Sequence, residues 1–201
     1  MNQPELSADL LIVEGIMTTL NDDGTPNIAP MGPRVDRDFR QFVLRPFITS
    51  TTYANLQRTG QGVFHVVDDV ELLARAAVGE LSPPPPLVPA THIAGVVLAD
   101  CCRWYELRVE RLDDRAERTT IECRVESSGS KRDIFGFNRA KHAVVEGAIL
   151  ATRVGIVPSD EIAAEFRRLS VIVEKTAGVQ ERRAFAFLQR YIEAKLSLPR
   201  S

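Results

Sequence analysis

The stretch Arg45-Pro46-Phe47-Ile48-Thr49-Ser50-Thr51-Thr52-Tyr53-Ala54-Asn55-Leu56 combines residue types suited to gripping a phosphate. An apolar run ends in an arginine, and four consecutive hydroxyl residues lead into a helical pattern. Arginine offers two parallel N–H donors. Thr49, Ser50, Thr51 and Thr52 add neutral donors, and a helix N-terminus adds free backbone N–H groups with a partial positive charge. Asn55 is placed to cap or buttress such a loop, with Leu56 packing inward. The same Ser/Thr run also reads as an ordinary helix cap, and the residues alone leave both readings open.

Two other segments bear chemistry. Asn27-Ile28-Ala29-Pro30-Met31-Gly32-Pro33 precedes the first. Pro30 cannot donate to a ladder, so the backbone N–H groups of Ala29 and Met31 become candidate donors to a ligand. The competing reading is an edge strand whose prolines discourage aggregation. The third segment spans residues 136–153, a small-residue helix carrying Lys141, His142 and Glu146. His142 and Glu146 are four apart and can touch. Asn138, Arg139 and Lys141 either face a ligand or belong to a dimer-packing helix with a structural His–Glu pair.

In this order and at this spacing, the three segments resemble a family of uncharacterised proteins in the flavin-reductase-like, FMN-binding split-barrel group. The resemblance covers nearly the whole chain. The stretch 137–153 is specific to that family, and the other two segments are shared more widely among split-barrel flavoproteins. The resemblance implies an α+β fold, an FMN-binding split β-barrel of Greek-key type with a C-terminal helical extension. It implies FMN as cofactor, with Asn27, Ala29, Pro30, Met31 and Gly32 along the isoalloxazine near its N5 and O4 edge. Arg45, Thr49, Ser50, Thr51, Thr52 and Asn55 would then meet the phosphate, with Asn138 and Lys141 near the cofactor. It further implies a homodimer with flavin near the subunit interface and a small-molecule redox partner, NAD(P)H being the commonest in the group. The implied activity is flavin-dependent oxidoreduction with hydride passing through N5, and His142 is the candidate acid/base. A non-catalytic flavin-binding protein, or a barrel holding deazaflavin, haem or a pterin-type carrier instead, are the alternatives. No substrate follows from the resemblance.

Bulk properties agree with a cytoplasmic globular protein. The chain has 201 residues, enough for one domain or one domain with an appendage. Hydrophobic residues make up 44% and charged residues 26%, a globular balance. A net charge of −2 supplies no basic excess for nucleic acid, so an anionic ligand must be gripped locally. Cys101, Cys102 and Cys123 are too few for a disulfide framework, and neither a CxxC spacing nor a histidine cluster points to a metal. Met1 to Asp9 lacks a basic stretch followed by an apolar one, and no apolar run suits a bilayer. The cytoplasm is the expected location, without membrane or nucleic-acid partners.

The elements that must position these residues begin with a strand at 10–20, a turn at Asn21-Asp22-Asp23-Gly24 and a returning strand at 25–35. Pro26, Pro30 and Pro33 make the return an edge or a bulged strand. A third strand at 39–48, a helix at 52–59 stopped by Gly60, a strand at 62–67 and a helix at 70–78 follow. Residues 82–89 hold four consecutive prolines and read as an extended connector. Strands are predicted at 92–98, 103–112 and 119–126, the last two forming a hairpin at Asp113-Asp114. Tyr105, Leu107 and Val109 alternate with Glu106, Arg108 and Glu110, a half-buried pattern. Three helices complete the chain. The first is capped by Asn138 with a stripe of Ala140, Val144, Gly147, Ala148 and Ala151. The second opens at Pro158-Ser159 and places Ile162, Phe166, Leu169 and Val173 on one face. The third covers 180–196 with Phe187, Leu188, Tyr191 and Ile192 inward. The predicted division is a barrel domain at 1–130 and a helical extension at 131–201. His65, His92 and Trp104 read as structural, and no serine-hydrolase elbow, Walker loop or dinucleotide fingerprint is present.

Overall fold

Short strands rich in Ile, Val, Leu and Phe pair into one antiparallel sheet in the computed structural model, which describes residues 10–197. The reading of Met1 to Asp9 lies outside the described residues. The strands are β1 (Leu11–Ile12), β2 (Gly15–Leu20), β3 (Pro26–Met31), β4 (Arg34–Val35), β5 (Gln41–Leu44), β6 (Gln61–Val66), β7 (Leu87–Pro89), β8 (Val96–Leu98), β9 (Arg103–Asp113) and β10 (Thr120–Ser130). Eight of them run in the order β1-β4-β5-β10-β9-β6-β2-β3, and β7 pairs with β8 as a separate ribbon. The helices are α1 (Thr51–Thr59), α2 (Val70–Ala77), α3 (Arg139–Ala151), α4 (Ser159–Thr176) and α5 (Val179–Ser197). The chain is therefore α+β, as the strand-rich front and helix-rich back predict.

The described chain divides into two compact units. The sheet unit comprises residues 10–67 and 86–133, and the helical unit residues 68–85 and 134–197. The boundary drawn at residue 130 thus moves to 133, and α2, with the rest of residues 68–85, goes with the C-terminal helices. The reason is its apolar face of Val70, Leu73 and Ala74, which packs against α3 and α5. The Arg75 guanidinium also lies 4.5 Å over the Phe187 ring.

The sheet core gathers Met17, Phe42, Leu44, Leu56, Phe64, Leu107 and Ile121, all essentially without solvent contact. Phe42 sits among three rings, with centroids at 6.1 Å for Phe39, 5.7 Å for Phe64 and 5.1 Å for Tyr105. In the helical unit, Ala140, Val144, Gly147, Ala148 and Ala151 form the buried stripe of α3. Ile162, Phe166 and Val173 are buried on α4, and Phe187, Leu188 and Ile192 on α5. Leu169 and Tyr191 are half-buried.

Several strands are shorter than the sequence pattern predicts. The 10–20 strand breaks between β1 and β2, and the 25–35 strand breaks between β3 and β4 at Gly32-Pro33. The third strand stops at Leu44. The 92–98 strand survives only as Val96–Leu98, because the Glu106 carboxylate takes the backbone N–H groups of Thr91, His92 and Ile93 at 3.1, 2.7 and 3.1 Å. Glu106 is 1% exposed, so the alternation on β9 does not turn this charge outward. Burial raises the Glu106 pKa, but these N–H groups and the Thr91 hydroxyl outweigh it and hold the carboxyl below its ordinary value.

Candidate functional site

The hydroxyl segment forms a tight turn between β5 and α1. The Pro46 carbonyl accepts from the Thr119 N–H at 3.0 Å and from its hydroxyl at 2.9 Å. The Ser50 N–H then returns to the Phe47 carbonyl at 2.9 Å. Ser50 is the N-cap of α1, its hydroxyl oxygen accepting from the Tyr53 N–H at 3.1 Å. The helix ends at Gly60, whose φ of 64° closes it in the left-handed region. The amides of Thr51 and Thr52 begin the helix and have no intrahelical acceptor. Thr49 and Thr51 are exposed, and Thr52 is buried. Arg45 is half-buried at the end of β5. Among the described residues it has no carboxylate partner and no hydrogen bond.

A buried polar network ties this turn to β2 and β3. The Asn27 side-chain amide donates to the hydroxyls of Thr19 and Thr52, both at 3.1 Å. Asn55 donates to Thr19 at 3.0 Å and to the Asn21 side-chain carbonyl at 2.9 Å. Thr19, a strand residue not singled out in the sequence, is the common acceptor. Asn55 is 4% exposed and is a buttress behind the turn.

β3 is the terminal strand of the sheet, and the phase of its ladder is set at both ends. The Asn21 N–H donates to the Thr25 carbonyl at 2.9 Å, and the Val13 N–H to the Pro33 carbonyl at 3.2 Å. Bonded pairs alternate with unbonded pairs along an antiparallel ladder. The register Thr19↔Asn27, Met17↔Ala29 and Gly15↔Met31 falls in the bonded phase. The N–H groups of Ala29 and Met31 therefore point to β2, which corrects the expectation that they are free for a ligand. Ile28 and Gly32 direct their N–H groups to the unpaired side, with Pro30 between them offering none. Residue types along β3 do not reveal this phase. A Cβ at Gly32 would lie 3.0 Å from Ile12 Cγ2 and 3.1 Å from the Glu14 carboxylate, both ends of exposed side chains.

The remaining candidates lie in the helical unit. Asn138 caps α3, its side-chain oxygen accepting from the N–H groups of Ala140 and Lys141 at 2.9 and 3.1 Å. Its amide nitrogen donates to the Thr176 carbonyl at 3.2 Å. The Lys141 ammonium meets the Glu181 carboxylate at 2.9 Å and the Asp68 carbonyl at 2.6 Å. Burial raises the Glu181 pKa, but the Lys141 ammonium together with the backbone N–H groups of Glu181 and Gly178 outweighs it and holds the carboxyl below its ordinary value. The polar atoms of Asn138 and Lys141 are thus engaged by α3, α4, α5 and the start of α2. His142 is exposed and stacks on Phe137 with centroids 6.1 Å apart. Among the described residues no ion pair joins it to Glu146. Arg139 is exposed.

His65 is a structural residue. Its Nδ1 lies 3.1 Å from the Ile16 carbonyl, and its Nε2 accepts from the Leu98 N–H at 3.1 Å, which fixes a neutral ring protonated at Nδ1. Trp104 is half-buried on β9, with the Lys131 ammonium 5.3 Å from its ring. Among the described residues no group of three or more His, Cys, Asp or Glu side chains could hold a metal. No helix among them is long and apolar enough to cross a membrane.

An antiparallel sheet with a capped helix between its strands, followed by packed helices, is the fold of flavin-reductase-like split-barrel proteins. An FMN-bound protein from Methanosarcina mazei superposes with a TM-score of 0.77 at 22% identity, covering 90% of this chain and 94% of that one. Flavoredoxin from Methanosarcina acetivorans matches with a TM-score of 0.51 at 10% identity, over 65% of this chain and 76% of that one. Flavoredoxin of Desulfovibrio vulgaris matches with a TM-score of 0.51 at 13% identity, over 65% and 77%. The pattern of the N-terminal domain of the protein-of-unknown-function family DUF447 matches residues 13–132, and that of the same family's C-terminal part matches residues 138–190. The chain belongs to the DUF447 family. No curated protein matches the sequence.

Proposed function

We propose that this protein binds FMN and works as a flavin-dependent oxidoreductase. The observation that carries the reading is Arg45, a half-buried arginine without a partner among the described residues, one tight turn before the N-terminus of α1. A partly desolvated guanidinium calls for an anion. A phosphate monoester carries about −1.5 to −2 charges at neutral pH and matches a donor set of arginine, hydroxyl and helix-start amides. The residues present therefore fit the cofactor's phosphate. The FMN-bound state of the Methanosarcina mazei family member supports the reading.

When bound, FMN supplies hydride transfer at N5. The chain's part is to hold and orient. Arg45, Ser50 and the amides of Thr51 and Thr52 hold the phosphate, with Thr49 at the rim of the turn. Asn27, Thr52 and Asn55 fix the turn against β3. The outward N–H groups of Ile28 and Gly32 are preorganised donors for the polar edge of the ring, where they stabilise negative charge as it develops. His142, exposed on α3 in the helical unit, is the acid/base candidate on the family resemblance alone. The family resemblance supports a homodimer with the flavin near the subunit interface, and a nicotinamide as electron donor.

The visible spectrum of freshly purified protein, with mass identification of any released ligand, tests the binding reading. A flavin band and the FMN mass are expected. Protein that arrives colourless and takes up no added FMN overturns it. Anaerobic NADH or NADPH tests the catalytic reading, which expects bleaching of the flavin band within seconds. A bound flavin that even dithionite fails to reduce overturns that reading alone.

A further inference from the structure

A groove of about 270 Å³ runs between α4 and α5. Ile162, Phe166 and Ile192 line it with apolar surface. One rim carries Ala163, Arg167 and Ser170 of α4, and the other carries Gln189, Glu193 and Leu196 of α5. Each trio is spaced i, i+4, i+7, so each lies along one face of its helix over about two turns, or about 10 Å. The small residues Ala163 and Ser170 flank Arg167 and leave room for another helix to approach. Leu196 is 40% exposed and Val171, next to Ser170, is 46% exposed. Arg167 and Glu193 are both exposed, and neither has an ion-pair partner among the described residues.

We propose that the two helix rims of this groove form a self-association surface for a second copy of this chain. A two-fold axis running along the groove lays each α4 over the α5 of the other copy. Arg167 of each copy then meets the partner's Glu193. The charges select the occupant. A groove built for a basic or an acidic protein would carry one sign on both rims, whereas opposite signs on opposite rims make a face complementary to itself under two-fold rotation. The exposed side chains of Leu196 and Val171 supply the apolar area to be covered, and the two charge pairs set the register. The surface lies wholly within the helical unit, and the inference does not depend on the cofactor reading.

Sedimentation velocity of the full chain at micromolar concentration tests this. Arg167→Glu and Glu193→Arg are each expected to halve the mass of the assembled species, because each places like charges against one another twice. An equal mixture of the two variants is expected to restore the larger mass, since the mixed pair regains both opposite-charge contacts. Flavin content and helical circular dichroism should not change. A monomeric wild type, or unchanged masses in both single variants, overturns the proposal and leaves the groove to a different partner. Halved masses that mixing fails to restore also overturn it, because the loss would then not come from the Arg167–Glu193 contact.

Discussion

The side-chain amide of Asn27 donates to the Thr52 hydroxyl at 3.1 Å, joining the open edge strand to the first turn of α1. The same nitrogen reaches Thr19, also at 3.1 Å, and Thr19 accepts from Asn55 at 3.0 Å. Two segments 25 residues apart in sequence thus share one hydrogen-bonded network, and a shift of β3 is transmitted to the turn.

Asn27→Leu removes both donations and leaves the Thr19 and Thr52 hydroxyls short of a partner. The expected loss is about 1–3 kcal/mol of stability, together with weaker FMN binding. Thr52→Ser keeps the acceptor and should leave both nearly unchanged. Urea denaturation and a flavin fluorescence titration check this. Equal behaviour of the two variants would mean that the network does not connect strand and turn.

Arg45→Ala removes a charge-assisted contact to the phosphate. The expected loss is about 1.5–3 kcal/mol, or roughly tenfold to a hundredfold in FMN affinity. Riboflavin, which has no phosphate, should bind wild type and variant alike. An unchanged FMN affinity would place the phosphate elsewhere.

Lys141→Met separates a structural role from a ligand-binding one. It strands the Glu181 carboxylate, which is 8% exposed. Removing one partner of a buried pair costs on the order of 3 kcal/mol. The pair with Glu181→Leu added should recover much of that loss. A thermal melt of the single and double variants reads the stability. If FMN affinity falls in both while the double variant melts like wild type, Lys141 touches the cofactor.

Acid should destabilise the protein in two stages. Burial lowers the His65 pKa from 6.5 to about 4, the Ile16 contact only partly opposing it. The unfolded chain takes up this proton first as pH falls, so His65 stabilises the fold above its unfolded value and loses that contribution as pH drops from 6.5 towards about 4. The Glu106 pKa lies below its ordinary 4.5. Its contribution is present above that value and is lost as pH falls through the lower folded value. Melting temperature against pH should decline through both windows. Glu106→Gln should melt lower at neutral pH and show a flatter profile in the lower window. A profile identical to wild type would count against the clamp.

The sequence makes legible what depends on local chemistry. Gly60 marks the end of α1, Asn138 caps α3, and the prolines of 25–35 identify an edge strand, because each acts through its own backbone or nearest neighbours. Contacts made across the fold are not legible in that way. Glu106 reads as a solvent-facing charge on an alternating strand, and only the turn at Thr91–Ile93 folding over it explains its burial. The amide directions on β3 depend on pairing with β2, so Ala29 and Met31 look free in sequence when Ile28 and Gly32 hold the outward positions. Lys141 looks available on α3 until α5 supplies Glu181.

The three cysteines give the protein a further property. Cys101, Cys102 and Cys123 are 0%, 1% and 3% exposed, and burial pushes the thiols of Cys101 and Cys123 up to about 11 and about 12. Thiol reagents attack the thiolate, so the folded chain resists alkylation. All three lie in the sheet unit, and the helical unit has none. Alkylation kinetics therefore act as a clock for opening of the sheet that fraying of α3, α4 or α5 does not start, and the two units can be followed separately without introducing a label.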